Sequence, residues 1–230
     1  MSTVLNFLVK GGPVMVPILG CSILTVATAL DRTLFWTKLL RREGQVVNEV
    51  LDASRRDLNE AASLAARSQD IPIGRFLLAP LRLKNPSPET FRLAMETAGD
   101  REFVQMRKGD KLLETVVAVA PLLGLLGTVT GLIATFGNLN IGGGGTGEQA
   151  TEAAAGIAEA LITTAAGMVV AIVALLIFRV LVSLQAQQID YFSEAGNELE
   201  LIYRQYWYEP TALVSDQTRH SEFIGTADRA

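Results

Sequence analysis

The sequence predicts an all-α membrane protein. Three transmembrane helices carry long helical extensions on the cytoplasmic side, with the N-terminus outside the cytoplasm and the C-terminus within it. Three observations lead there. The chain is 49% hydrophobic and only 19% charged, where a soluble domain carries about a quarter charged residues, and its mean hydropathy is +0.30. The missing charge is concentrated in residues 11–30, 115–139 and 160–178. Each is close to the ~20 apolar residues that cross a bilayer at about 1.5 Å per residue. Finally, residues 40–111 hold thirteen Lys and Arg, whereas residues 138–156 hold none. Positive charge stays in the cytoplasm, so this asymmetry orients the chain.

Residues 1–40 form an N-terminal segment and the first span, uncharged between Lys10 and Asp31. Ala27-Thr28-Ala29 has the small residues of a signal-peptide cleavage site. The flanking charges oppose that reading, because Arg32, Lys38, Arg41 and Arg42 follow the run and only Lys10 precedes it. A signal peptide has the reverse arrangement. The span is therefore expected to be retained, with Phe35 and Trp36 in the interfacial aromatic belt.

Residues 41–110 read as a cytoplasmic helical domain, rich in Ala, Leu, Arg and Glu from residue 43 to 67. Asn85-Pro86-Ser87-Pro88 is a break followed by a helix start. Ser87 can cap, and Pro88 suits the first turn because its missing N–H has no helical partner there. No further Pro occurs before Pro121, so the second span, 111–139, is expected to continue a helix begun near Pro88. Residues 140–152 form an outer loop containing Gly142-Gly143-Gly144-Gly145. A phosphate cradle would need a preceding strand and a Lys-Ser/Thr pair, so a flexible turn is expected. The third span and its cytoplasmic extension occupy 153–208. Leu181, Leu184, Ile189, Phe192, Leu199 and Ile202 recur at helical spacing, and the helix should end before Pro210. Residues 209–230 read as a flexible cytoplasmic tail.

The composition excludes several function classes. A net charge of −4 does not suggest nucleic acid. One cysteine, Cys21, and one histidine, His220, make no internal disulfide, no metal site and no nucleophile–base pair. No enzyme, cofactor or metal is therefore expected, and Cys21 reads as a small buried residue within its apolar run.

What remains is polarity inside the spans. In Ala120-Pro121-Leu122-Leu123-Gly124-Leu125-Leu126-Gly127-Thr128-Val129-Thr130-Gly131, Gly124, Thr128, Gly131 and Thr135 recur every three or four residues and share one face. In Gly156-Ile157-Ala158-Glu159-Ala160-Leu161-Ile162-Thr163-Thr164-Ala165-Ala166-Gly167 small residues again dominate. Gly124, Gly127, Gly131, Gly156 and Gly167 read as packing positions, since small faces let membrane helices approach closely. A Thr in such a helix often bonds its own backbone. Glu159 is different: an ionisable group near the bilayer is costly and faces protein or water, unless it lies at the interface. Glu114, at the inner end of the second span, reads as interfacial.

These two motifs, in this order and separated by one short outer loop, resemble those of the MotA/TolQ/ExbB proton-channel family, and of its ExbB and TolQ branch in particular. Gly11-Gly12-Pro13-Val14-Met15-Val16-Pro17 resembles ExbB-type first helices. The resemblance implies a multi-pass protein of the bacterial inner membrane, contacting its lipids, with a periplasmic N-terminus. It implies a homo-pentamer around a dimer of a single-span partner like ExbD or TolR, whose membrane-embedded Asp takes up the proton. Thr128 matches the pore threonine of the second helix, Thr164 that of the third, and Glu159 the third-helix glutamate. Thr163 and Thr135 complete the polar set assigned to the path. No cofactor is implied beyond the transported proton. The output would be a periplasmic or outer-membrane process, with a TonB-like or TolA-like energy transducer as a further partner. The chain departs from the common pattern at Ala155 and at Ile172-Val173-Ala174, where many relatives carry Pro, and at Phe178-Arg179. A straighter third helix should follow. The competing reading is a non-conducting scaffold that clamps a partner helix.

Overall fold

The computed structural model describes residues 12–138 and 147–210. The glycine run 142–145 and the tail with His220 lie outside the described residues. Among the described residues seven α-helices follow one another: α1 (Met15–Leu40), α2 (Glu43–Ser54), α3 (Leu58–Arg67), α4 (Pro72–Leu81), α5 (Pro88–Met106), α6 (Asp110–Asn138) and α7 (Gly147–Tyr203). A π-helical turn, Arg204–Tyr208, ends the series. No strand occurs among the described residues. Among the described residues three helical stretches are long and apolar enough to cross a membrane, Met15–Ser54, Pro88–Gly137 and Thr151–Tyr208, which take in α1, most of α6 and most of α7.

Local signals explain most boundaries. Ser87 is extended, at φ −66° and ψ 156°, and its side chain accepts from Thr90 N at 3.2 Å. With Pro88 in the first turn, α5 starts as its sequence demands. The helical stretch from 43 to 67 consists of two helices, α2 and α3. Asp57 breaks it by adopting an extended backbone and accepting from Asn59 N at 2.8 Å, a capping role that competes with helix continuation.

Three expectations need correction. The second span does not continue α5 without interruption. Gly109 has φ +93°, and a Cβ there would lie 2.9 Å from Thr28 Cγ2, so a turn separates α5 from α6. The third helix begins at Gly147 rather than 153, because Glu148 to Glu152 are competent helix residues once past the glycines. Trp36 is not exposed as a residue of a lipid-facing belt would be. It is buried, with the half-buried Phe35 ring edge-on at 5.7 Å.

The chain forms two compact units, divided inside α1 and α7 and just before Lys108. The first comprises Met1–Thr33 and Lys108–Ser183. Its core is small: Val116 and Ala120 of α6 meet Ala171 and Ala174 of α7, and Cys21 of α1 packs against them. Outward-facing side chains such as Leu122, Ile133, Leu161 and Leu176 are 61–66% exposed, a surface suited to lipid or further protein rather than water.

The second unit comprises Leu34–Arg107 and Leu184–Ala230. Here the end of α7, from Gln185 onward, buries a stripe of Gln185, Gln188, Phe192, Ala195, Leu199 and Ile202. Phe192 meets Phe76 at 4.9 Å and Phe103 at 5.4 Å, and Gly196 lets the Phe76 ring approach, since a Cβ there would lie 2.9 Å from Cζ. Tyr203 stacks on Phe91 at 4.2 Å and donates to Pro86 O at 2.6 Å. The Arg75 guanidinium grips the buried Glu102 carboxylate with two bonds, 2.7 and 2.5 Å, so each charge is matched as it leaves water.

Candidate functional site

The polar residues of the two motifs meet along one seam between α6 and α7, in the first unit. The helices run antiparallel, so residues late in α6 meet residues early in α7. Each glycine marks a place where a side chain could not fit. A Cβ on Gly167 would lie 2.5 Å from Ala120 O and 3.1 Å from Gly124 Cα. One on Gly124 would lie 3.0 Å from Thr164 Cα, and one on Gly131 would lie 2.9 Å from Ala160 Cβ. Gly127 abuts the Thr163 side chain, and Gly156 abuts the Thr135 hydroxyl. Steps of three or four put 124, 127, 131 and 135 on one face of α6.

The close approach makes a cross-helix hydrogen bond possible: Thr164 Oγ1 donates to Gly124 O at 2.6 Å. Glycine at 124 leaves this carbonyl open to the neighbouring helix. The other hydroxyls bond within their own helices. Thr128 donates to Leu125 O at 2.7 Å, Thr135 to Gly131 O at 2.8 Å, and Thr163 to Glu159 O at 3.0 Å. Thr135 and Thr163 are buried in the seam at 7% and 1% exposure. Thr128 and Thr164 are half-buried at its margin. A hydroxyl whose proton goes to a carbonyl still offers oxygen lone pairs. Thr128 and Thr164 therefore present acceptors inside the apolar stretch.

Glu159 is half-buried on α7, and its carboxylate packs against Gly12. Gly12 has φ +66°, so both its backbone and the space beside it call for glycine. This brings the start of α1 against the one carboxylate of the third-helix motif. The contact was not foreseen, although Gly11-Gly12-Pro13 marks a turn in the sequence. Glu114 is exposed and stands apart from the seam.

With this geometry in hand, comparison with known proteins is decisive. Residues 68–194 match the MotA/TolQ/ExbB proton channel family. The chain belongs to that family. It is 66% identical to the biopolymer transport protein ExbB-like 1 of Synechocystis sp. over 90% of this chain and 81% of the relative. ExbB-like 3 of the same organism is 38% identical over 87% of this chain and 95% of its own length. The Tol-Pal system protein TolQ of Haemophilus influenzae is 30% identical over 84% and 88%. Family membership and the three long apolar helices together make this a multi-pass membrane protein, and its relatives are named for transport and the Tol-Pal system rather than for an enzyme activity. Both motifs of the seam fall inside the matched residues.

Proposed function

We propose that this protein is the channel subunit of a motor in the bacterial inner membrane, powered by the proton motive force. Together with an ExbD- or TolR-like partner it would energise a periplasmic or outer-membrane process such as TonB-dependent transport. The N-terminus is periplasmic and residues 40–110 are cytoplasmic, as the Lys and Arg distribution requires. Five copies surround the partner helices, their exposed apolar faces closing on one another and on lipid.

The observation that carries this reading is the pair of half-buried hydroxyls, Thr128 and Thr164, on a seam held at close approach by glycine. Their protons are committed to Leu125 O and Gly124 O, so their oxygens can accept from a protonated partner Asp as it passes. Thr135 and Thr163 form the wall behind them, and Glu159 holds polarity near the outer end. A proton crossing about 100 mV releases roughly 2.3 kcal/mol. A hydrogen bond in a membrane interior is worth about 0.6–2 kcal/mol. Acceptors on this seam can therefore bias which arrangement the partner adopts, which is what a motor requires.

The test is Thr128→Val and Thr164→Val, each nearly isosteric, in the assembled complex with its partner. Proton-driven output should fall sharply in both while complex yield stays near normal, with Thr37→Val as an unaffected control. Unchanged output in both variants, each in a fully assembled complex, would leave a clamping scaffold as the better description.

A further inference from the structure

Outside the seam, three buried side-chain atoms lack a hydrogen-bond partner among the described residues: Trp36 Nε1, Glu43 Oε2 and Gln188 Oε1. Two of them belong to one contact in the second unit. Gln188 Nε2 donates to Glu43 Oε1 at 3.0 Å. The atoms left over are the other carboxyl oxygen and the amide oxygen. With Glu43 ionised, both can only accept, so neither can satisfy the other. Turning the amide over would place its oxygen against a carboxylate oxygen, which is worse. A proton on Oε2 removes the conflict, because it converts that oxygen into a donor. A carboxylic acid beside a primary amide can then form two parallel bonds, N–H to one oxygen and O–H back to the amide oxygen.

We propose that Glu43 carries a proton at neutral pH and forms a two-bond acid–amide pair with Gln188, giving the second unit a proton-binding site of its own. The reading does not depend on the channel role. Glu43 lies past the apolar stretch of α1, among charged residues, and is the first residue of α2. Gln188 is only 4% exposed.

The surroundings favour the acid. Burial pushes the Glu43 carboxyl up, against the lowering effect of its bond to Gln188. Among the described residues no ion pair involves Glu43. Arg42, its neighbour in sequence, is exposed and 3.5 Å from Asp70. On α7, Tyr191 lies close: its phenol is pushed up first by burial and then by the negative charges of Glu43 and Glu194. On α7 too, Glu198 is taken by Arg55 at 2.9 Å. On α4, Arg75 is committed to Glu102. Glu60 and Arg67 of α3 are both exposed and neither bonds Glu43 among the described residues. The first turn of α2 favours a carboxylate, but that screened effect is set against two orphaned buried acceptors.

The consequence is a pH-sensitive tie between the start of α2 and α7. The folded pKa is raised above the unfolded one, so the stabilisation is complete at low pH and is lost as pH rises through the folded value. Ionisation removes one of the two bonds and leaves a buried charge.

Infrared spectra of the full chain in nanodiscs test this, as the difference between wild type and Glu43→Gln. A protonated-carboxyl carbonyl band should be present in the wild type at neutral pH, absent from the variant, and lost as pH rises. A carboxylate band for Glu43 at neutral pH would overturn the proposal. The thermal midpoint of the wild type should fall by several degrees between about pH 6 and about pH 9, and that of Glu43→Gln, a permanent neutral mimic, by less. Equal slopes would also overturn it. If Glu43→Gln does not fold, Gln188→Met decides. Deprived of its acceptor, the acid carbonyl should move to higher frequency, and an unshifted band would show that no such pair exists.

Discussion

The upper and lower parts of α7 solve the same packing problem in opposite ways. Between Gly156 and Gly167 the helix offers small residues and hydroxyls to α6, and its tightest contacts are backbone against backbone. Between Gln185 and Tyr203 it offers Phe192, Leu199 and Tyr203 to Phe76, Phe91 and Phe103. Solvent explains the contrast. Among lipid tails an apolar side chain gains nothing by leaving its surroundings, so association relies on close approach and interhelical hydrogen bonds. In water, large aromatic area is the strongest available drive. One continuous helix thus changes its packing rules where the apolar stretch ends, near Phe178 and Arg179.

The largest expected effect comes from breaking the upper rule. In Gly167→Leu, even the Cβ would meet Ala120 O at 2.5 Å and Gly124 backbone atoms at 3.1–3.2 Å. Backbone cannot move aside like a side-chain tip, so α6 and α7 must separate. The variant should be lost as a monodisperse species in size-exclusion chromatography. A normal elution profile with normal thermal stability would mean that close approach does not hold the seam.

Next comes the lower rule. Phe192→Ala removes a 1% exposed ring and should destabilise the second unit by about 3–5 kcal/mol. Hydrogen exchange should accelerate in α4 and α5, which supply Phe76 and Phe103, and remain unchanged along the α6–α7 seam. Equal acceleration in both regions would erase the distinction drawn between them.

The smallest effect sharpens the comparison within the seam. Thr164→Val removes a bond between helices and should lower stability by about 0.6–2 kcal/mol. Thr128→Val removes only a bond to its own helix and should change stability hardly at all. Thermal unfolding of the two variants in the same nanodiscs gives the answer. A larger loss for Thr128→Val would reverse their assigned structural roles.

Hydropathy and periodicity are local properties, and what depends on them alone was legible in the sequence. The three apolar stretches, the Ser87 cap with Pro88, and the buried Phe192, Leu199 and Ile202 follow from residue type and spacing. Spacing also suggests one shared face for Gly124, Thr128, Gly131 and Thr135, but the contacts seat Gly127 with Gly124, Gly131 and Thr135 in the seam and leave Thr128 at its margin. The motifs also sufficed to indicate the family. What tertiary structure decided is which atoms meet across long gaps in the chain. Gln188 finds Glu43 across 145 residues, and Glu102 finds Arg75 across 27. Gly12 shelters Glu159, and Gly109 breaks the helix where Thr28 leaves room for nothing larger. Trp36 looked like an interfacial anchor and is buried. Nor could the sequence tell that the Thr164 hydroxyl leaves its own helix while that of Thr128 does not. Both sit at helix positions that permit back-bonding, and only the Gly124 carbonyl, brought close by two glycines, makes the difference.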